Sequence, residues 1–295
     1  MKKSYIYASI TIFIWSTIAL VSDLLLQTMD SMQVLAISSL FAFLFLLMLN
    51  AIKGNLKILK KFKLRDYLIL FGLGAMGIFL YYFLLYYGME LLQDPDKAFI
   101  INYLWPLATV LFACVILKEK FTALKGLAIL LSFFGVMLTT TGGSLAMNNT
   151  QLIGALFCVL AATAYGLFSV LNKRCNYDNY IAMMFFYLAT FLISGVYLLM
   201  RGEPISLTLW QGLGLAYNGI CTYAIAYTLW AVALAFGDTA KISNLAYMTP
   251  FLSMVWTGLY YQRLPNLFSI LGLICIVAGI LIQNIKVKKN GDASF

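Results

Sequence analysis

The sequence predicts an all-helical membrane protein with ten transmembrane helices in two inverted five-helix repeats, and three observations support this fold class. Hydrophobic residues make up 63% of the 295 residues and charged residues only 11%, which is too little charge for the surface of a soluble domain. The apolar residues are gathered into ten runs, each long enough to cross a bilayer. An internal repeat divides these runs into two sets of five.

The ten apolar runs are joined by short connections, and no part of the chain resembles a soluble domain. The runs lie at about 4–26, 33–52, 67–89, 98–117, 123–142, 152–172, 179–200, 209–235, 241–261 and 267–285. Met1-Lys2-Lys3 precedes the first run, but no small-residue cleavage site follows it. We therefore expect a retained first helix rather than a signal peptide.

The repeat appears when the chain is shifted along itself. A shift of 144 residues aligns Asp94, Lys97, Tyr103, Pro106 and Gly135 with Asp238, Lys241, Tyr247, Pro250 and Gly279, and a shift of 150 aligns Trp15 with Tyr165. We expect residues 1–145 and 146–295 to be two repeats within one membrane unit. Because five is odd, the second repeat enters the membrane from the opposite side, as in many secondary transporters.

The basic residues predict that both termini face the cytoplasm. In that orientation all of the 20 lysines and arginines except Lys97, Arg201 and Arg263 fall on the inside, as the positive-inside rule requires. Anionic lipid headgroups then account for the net charge of +9, and no nucleic-acid partner is needed.

Several kinds of chemistry are excluded by what the sequence lacks. It contains no histidine, its five cysteines are isolated, and no two carboxylates sit mid-membrane at a spacing suited to acid–base catalysis. There is also no Gly-x4-Gly-Lys-Ser/Thr loop for ATP. We therefore expect no metal, no cofactor and no enzymatic activity.

A proline in the fourth run predicts a binding site. Pro106 removes a backbone hydrogen bond and frees the carbonyl of Asn102, close to Tyr103 and Trp105. Unpaired backbone at membrane depth persists only where protein covers it or where it lines a cavity. We interpret this segment as one wall of a site, with a plain kink or an interhelical hydrogen bond as the alternative.

Other polar and aromatic side chains repeat this pattern in both halves. Tyr82 and Tyr86 share a helix face in the third run, and so could stack on a planar ligand or surround a cation. The eighth run carries Asn218, Tyr223, Tyr227 and Trp230, and the ninth carries Asn244 and Tyr247 before Pro250. Packing, or a position at the membrane interface, is the alternative explanation for each aromatic residue taken singly.

The chain resembles a known family at three places. Trp15-Ser16 in the first run, Leu117-Lys118-Glu119-Lys120 after the fourth, and the segment 226–234 (AYTLWAVAL) in the eighth are similar to the EamA family of the drug/metabolite transporter superfamily. The segment 102–106 (NYLWP) resembles more specifically the aromatic amino acid exporters of the YddG type. Tyr261-Gln262-Arg263 departs from the Leu-Gly-Glu of the family, and Tyr165 stands in place of its usual tryptophan.

The resemblance implies that Tyr103 and Trp105 line a central cavity, with Tyr82, Tyr86 and Tyr165 as partners. The function expected is secondary transport that exports small metabolites, chiefly amino acids with aromatic or other apolar side chains, by alternating access. Organic cations held in an aromatic cage are the alternative substrate, and a membrane-embedded enzyme or a non-transporting receptor are further alternatives. The expected partners are a substrate and the bilayer, for a chain that can act as a monomer in the bacterial cytoplasmic membrane.

Overall fold

The computed structural model describes residues 2–92, 98, 101–141, 148–202, 206–262 and 267–282. Asp94, Lys97 and Arg263, which the repeat and the charge analysis use, lie outside these residues. Every regular element in the described ranges is a helix, which confirms the all-helical prediction. The helices are α1 Lys2–Ser16, α2 Ile18–Leu26, α3 Ser31–Ile52, α4 Leu64–Gly74, α5 Leu80–Leu92, α6 Trp105–Ile116, α7 Ala123–Thr141, α8 Asn149–Cys175, α9 Asn179–Arg201, α10 Leu209–Tyr217, α11 Tyr227–Phe236, α12 Thr239–Leu245, α13 Met248–Tyr261 and α14 Leu267–Ile282, with a 3₁₀ turn at Asn55–Lys61.

Within the described ranges, six helical segments are long and apolar enough to cross a membrane. They are Lys3–Leu26, Ser31–Ile52, Leu64–Leu92, Asn149–Cys175, Asn179–Arg201 and Leu209–Phe236, and shorter apolar helices lie at Trp105–Ile116, Ala123–Leu138 and Ile270–Gly279. The outer surface is apolar as well: Val115, Leu199 and Met200 are 77%, 82% and 83% exposed. A surface of this kind needs a lipid environment, so the chain is a polytopic membrane protein.

Side chains close to the membrane surfaces set the starts of several helices. The side-chain oxygens of Asp30, Asn148, Asp178 and Thr208 accept hydrogen bonds from the first free N–H groups of α3, α8, α9 and α10. Asn148 and Thr208 form reciprocal capping boxes with Gln151 and Gln211. These caps fix where the helices begin after short connections.

Two of the long helices contain a π-helical segment, at Ala75–Phe79 between α4 and α5 and at Asn218–Ala226 between α10 and α11. Both segments pack closely against neighbouring helices. A Cβ atom on Gly219 would lie 2.4 Å from the carbonyl oxygen of Ser38 in α3, and one on Gly77 would overlap the ring of Phe168 in α8. Insertions of this type change which residues face inward and are frequent at functional sites.

The fourth and ninth runs are not continuous helices, which corrects the sequence prediction for 98–117 and 241–261. Tyr103 and Leu104 form a turn before α6, whose second residue is Pro106, and Ala246 and Tyr247 form a turn before α13, whose third residue is Pro250. The cause is that proline lacks an N–H group and is tolerated in the first turn of a helix. Each proline therefore starts a new helix instead of kinking an existing one.

The helix pairs follow a symmetrical pattern across the two halves of the chain. The three most extensive contacts pair α7 with α14, α5 with α8 and α3 with α9. Helices α5 and α6 of the first half both contact α8 of the second half. In the same way, α11 and α13 of the second half both contact α1 of the first half. Each of these pairs joins a helix before residue 145 to one after it, so the interface between the halves runs through the centre of the bundle.

The contact between α7 and α14 gives a stability prediction. A Cβ atom on Gly135 would lie 2.5 Å from the carbonyl oxygen of Gly272, whereas one on Gly72, on the outer surface, meets nothing within 4 Å. We expect Gly135→Ala to destabilise the protein by about 1–3 kcal/mol through overpacking. Gly72→Ala should leave the thermal midpoint in detergent unchanged or raise it, since alanine favours helix. Equal midpoints for the two variants would contradict the close helix contact.

Candidate functional site

Eight aromatic side chains from both halves of the chain meet at the centre of the bundle, and we call them the aromatic cluster. Each is at most 8% exposed. Its members are Trp15, Tyr81, Tyr82, Trp105, Tyr165, Tyr223, Tyr227 and Trp230. Its residues come from α1, α5, α6, α8, the π-helical segment at Asn218–Ala226 and α11. Because α1, α5 and α6 precede residue 145 and the other elements follow it, the cluster lies on the interface between the two halves.

Trp105 occupies the middle of the aromatic cluster. Its ring centroid is 6.1 Å from that of Trp15, 5.1 Å from that of Tyr165 and 5.5 Å from that of Trp230. All three contacts are edge-to-face, which is a favourable arrangement for aromatic pairs. Trp15 also contacts two residues of the other half: its ring centroid is 5.0 Å from that of Tyr227 and 5.1 Å from that of Trp230.

Hydroxyl and amide groups connect the tyrosines of the cluster. The hydroxyl groups of Tyr82 and Tyr227 are hydrogen-bonded at 3.0 Å, which joins the two halves. Asn102 donates through Nδ2 to the hydroxyl of Tyr81 at 3.0 Å. Tyr86 is half-buried beside Tyr82, with ring centroids 5.6 Å apart. These contacts join Asn102 and Tyr86 to the edge of the cluster.

Four of the predicted site residues lie elsewhere. Ser16 is buried, donates to the carbonyl of Phe13 and accepts from Nε1 of Trp256 at 2.8 Å. Tyr103 and Tyr247 contact each other with centroids 6.4 Å apart, and they pack in a separate apolar group with residues of α6, α7 and α14. Asn244 is fully buried and neither polar atom of its side chain has a partner. Tyr103 is thus separated from Trp105 by the turn that precedes α6.

The site also contains residues that the sequence-based choice left out. Helical spacing selected Tyr82 and Tyr86, but Tyr81 also faces the cluster, with its ring 5.1 Å from that of Tyr165. Trp230 follows Tyr227 by three residues, so helical spacing could have placed it in the same set. Tyr187 stacks on Tyr223, with ring centroids 5.4 Å apart. The sequence did not indicate this contact, because Tyr187 is an isolated tyrosine in an apolar helix.

A small cavity adjoins the aromatic cluster and has room for about one water molecule. It extends along α8 from Tyr165 to Asn172 and along α11 from Tyr227 to Leu234. Ser169 and Asn172 supply its polar side chains. The aromatic rings themselves are in contact, so a ligand of amino acid size requires them to separate. Among the described residues, no group of three or more Cys, Asp and Glu side chains could hold a metal ion.

Four charged side chains and one hydroxyl group interact at the end of the bundle toward which the cavity extends. We call them the polar latch: Glu119, Lys125, Lys173, Asp238 and Thr239. Lys173 Nζ donates to Glu119 Oε1 at 2.8 Å, to Thr239 Oγ1 at 3.0 Å and to the carbonyl oxygen of Gly237 at 3.2 Å. Lys125 Nζ lies 2.6 Å from Asp238 Oδ2. Both ion pairs of the latch connect the two halves of the chain.

The surroundings of Asp238 favour its charged form. Burial alone would raise the pKa of this carboxyl, but hydrogen bonds from the Lys125 ammonium and the Lys241 backbone N–H, together with the charges of both lysines, hold its pKa below the ordinary value. The carboxylate also caps α12. Asp238 is therefore ionised at neutral pH and can pair with Lys125.

The apolar surface and the paired helices define an integral membrane protein with an aromatic cluster buried inside its helix bundle. The chain belongs to the EamA-like transporter family, which matches residues 2–141 and 152–285. It is 28% identical to an uncharacterized transporter of Clostridium kluyveri, over 99% of this chain and 96% of that protein. It is 25% identical to the uncharacterized inner membrane transporter YhbE of Escherichia coli K12, over 92% of this chain and 88% of that one.

One more distant relative has an assigned substrate class. The aromatic amino acid exporter YddG of Ancylobacter novellus is 26% identical over 61% of this chain and 63% of that protein. A crystal structure with 20% sequence identity superposes with a TM-score of 0.85 and covers 96% of this chain and 97% of that one. This likeness concerns the fold alone.

The polar latch gives a prediction about coupling between the halves. In a double-mutant cycle of Glu119→Gln and Lys173→Met, we expect a coupling free energy of about 1 kcal/mol, because both side chains are largely shielded from water. The Arg201–Asp30 pair is longer, at 3.4 Å, and more exposed. Its cycle should give less than about 0.5 kcal/mol. Thermal or chemical unfolding in detergent measures both, and a latch coupling no larger than that of the control would contradict this description.

Proposed function

We propose that the protein is a secondary transporter that exports amino acids with aromatic or other apolar side chains. The observation that carries the proposal is the aromatic cluster, which joins the two halves. Trp105 from one half contacts Tyr165 and Trp230 from the other, and Trp15 also contacts Trp230. A site shared between two halves changes its accessibility when the halves rock against each other. The exporter YddG, a distant relative, adds support for an aromatic amino acid as substrate.

The proposal includes ten transmembrane spans in two inverted repeats, residues 1–145 and 146–295. Three matched features support it. The π-helical segments at Ala75–Phe79 and Asn218–Ala226, and the breaks before Pro106 and Pro250, recur at a shift of about 144 residues. Lys118 and Gln262, which follow α6 and α13 and are 144 residues apart, both have a φ of 54°. The family also matches each repeat separately.

In the proposed mechanism the polar latch is the cytoplasmic gate. Basic residues surround the latch, both in the loop after α6 and at the adjoining ends of α7 and α8: Lys118, Lys120, Lys125, Lys173 and Arg174. The positive-inside rule therefore predicts that the latch and both termini face the cytoplasm. Entry of a substrate from the cytoplasm then requires Lys173 to leave Glu119 and Gly237. The membrane is the bacterial cytoplasmic membrane, in keeping with the inner membrane relative YhbE.

Each predicted residue receives a role in this proposal. Trp15, Tyr82, Tyr86, Trp105, Tyr165, Tyr223 and Tyr227 enclose the apolar part of the substrate, and Asn102 contacts its polar end. Tyr103 and Tyr247, beside Pro106 and Pro250, pack the two helix breaks against each other. Asn244 lies in the second break, and Ser16 anchors α1 to α13 through Trp256.

An organic cation is the alternative substrate, since the electron-rich faces of aromatic rings attract cations. Binding distinguishes the two substrates. A cation site should bind choline-like compounds and ignore zwitterionic phenylalanine. An amino acid site should do the reverse. Turnover of a lipid-linked compound by the purified protein would instead indicate an enzyme.

A thermal-shift screen of the purified protein tests the proposed site. A ligand that binds only the folded state raises the midpoint, by an amount that depends on its concentration relative to its Kd. We expect aromatic or large apolar amino acids to stabilise the parent protein and to have little effect on Trp105→Ala. Trp210→Ala is the matched control, because Trp210 is 80% exposed on the surface. If Trp105→Ala responds like Trp210→Ala, the aromatic cluster is not the site.

A further inference from the structure

Two tryptophans of the aromatic cluster carry hydrogen-bond donors that no acceptor pairs with in the part of the chain that the structure describes. Nε1 of Trp15 and Nε1 of Trp230 are both buried there without a partner. An indole N–H group can only donate, and leaving it unpaired away from water costs free energy. Trp256 shows the usual arrangement, because its Nε1 donates to Ser16 Oγ at 2.8 Å. The two unused donors therefore call for an acceptor that is not part of the chain.

We propose that the indole N–H groups of Trp15 and Trp230 bind the carboxylate of a zwitterionic substrate. This inference rests on the proposed function and specifies the substrate class of the same site. The two rings are in contact, with centroids 5.1 Å apart and planes tilted by 44°, and they come from different halves of the chain. A carboxylate has two oxygens and can accept from both donors at once. Its binding would then bridge the halves.

An unused acceptor lies at the edge of the same cluster. Asn102 donates through Nδ2 to the hydroxyl of Tyr81, which leaves Oδ1 buried and without a partner among the described residues. Tyr81 contacts Tyr165, Tyr165 contacts Trp105, and the ring of Trp105 contacts both Trp15 and Trp230. The free acceptor and the free donors therefore belong to one connected group of aromatic side chains. An α-amino acid has the matching groups, with an ammonium that donates and a carboxylate that accepts.

The electrostatics of the cluster favour a ligand with no net charge. The eight members of the aromatic cluster and Asn102 are all neutral side chains. A ligand with net negative charge would be buried here without a counter-charge, which is costly. A simple amine would leave both indole donors unpaired. A zwitterion satisfies the donors and the acceptor together and brings its own balancing charge.

The test compares each amino acid with its methyl ester, because the ester keeps the side chain and the ammonium but loses the carboxylate charge. The ligands are L-phenylalanine and L-leucine with their methyl esters, and phenethylamine. Affinities are measured for the parent protein and for Trp15→Phe, Trp230→Phe and Trp256→Phe. The phenylalanine variants keep an aromatic ring and remove the N–H group. Trp256→Phe is the control, since its N–H group is already paired within the protein.

We expect the parent protein and Trp256→Phe to prefer the free acid over the ester. In Trp15→Phe and Trp230→Phe the affinity for the acid should fall roughly tenfold, as for loss of a hydrogen bond to a charged group, while that for the ester changes little. Because the donors lie on separate helices, either variant is sufficient if the other does not fold. If a folded variant has the same ratio of acid affinity to ester affinity as the parent protein, this inference is wrong, but the proposed function is not contradicted. Failure of both amino acids to bind the parent overturns the proposed function as well, and binding of phenethylamine alone would favour the organic cation.

Discussion

The contact of Trp15 and Trp105 with Tyr165, Tyr227 and Trp230 joins the two halves of the chain at the centre of the bundle. Each aromatic pair contributes only about 0.5–1.5 kcal/mol beyond the burial of its area. Such contacts can therefore separate and re-form at modest cost, and an aromatic or apolar ligand can replace them. The position of the site, the pairing of the helices and the proposed motion all depend on this interface.

The membrane explains why the irregular backbone is found here. Hydrocarbon cannot satisfy a free N–H or carbonyl group, so helix breaks at membrane depth persist only inside the protein or beside a cavity. Pro106 begins α6 directly next to Trp105, and Pro250 lies close to Tyr247. The breaks place buried polar side chains, Asn102 and Asn244, within an otherwise apolar bundle. The charged groups of the polar latch, by contrast, lie at or just beyond the ends of helices.

Part of this arrangement follows from the sequence, because helical spacing and the helix-breaking effect of proline act over a few residues. Spacing placed Tyr82 and Tyr86 on one helix face, the resemblance to known exporters pointed to Trp105 and Tyr165, and the prolines marked both breaks. The sequence could not predict that Tyr103 and Trp105 lie in different groups. Their separation depends on the turn at Tyr103 and Leu104, where a kinked but continuous helix was expected. Tyr81 was missed because a nearby π-helical segment changes which residues face inward. The contacts of Ser16 with Trp256, and of Lys173 with Glu119, join residues far apart in the chain and need the folded structure.

We propose that this protein carries amino acids with aromatic or other apolar side chains across a membrane through the aromatic cluster. Counterflow in proteoliposomes tests it most directly: vesicles are loaded with unlabelled L-phenylalanine and uptake of labelled L-phenylalanine is followed. We expect transient accumulation of label with the parent protein and with Trp210→Ala, and none with Trp105→Ala or with empty vesicles. Equal uptake by Trp105→Ala and the parent, or no uptake by the parent, would contradict the account.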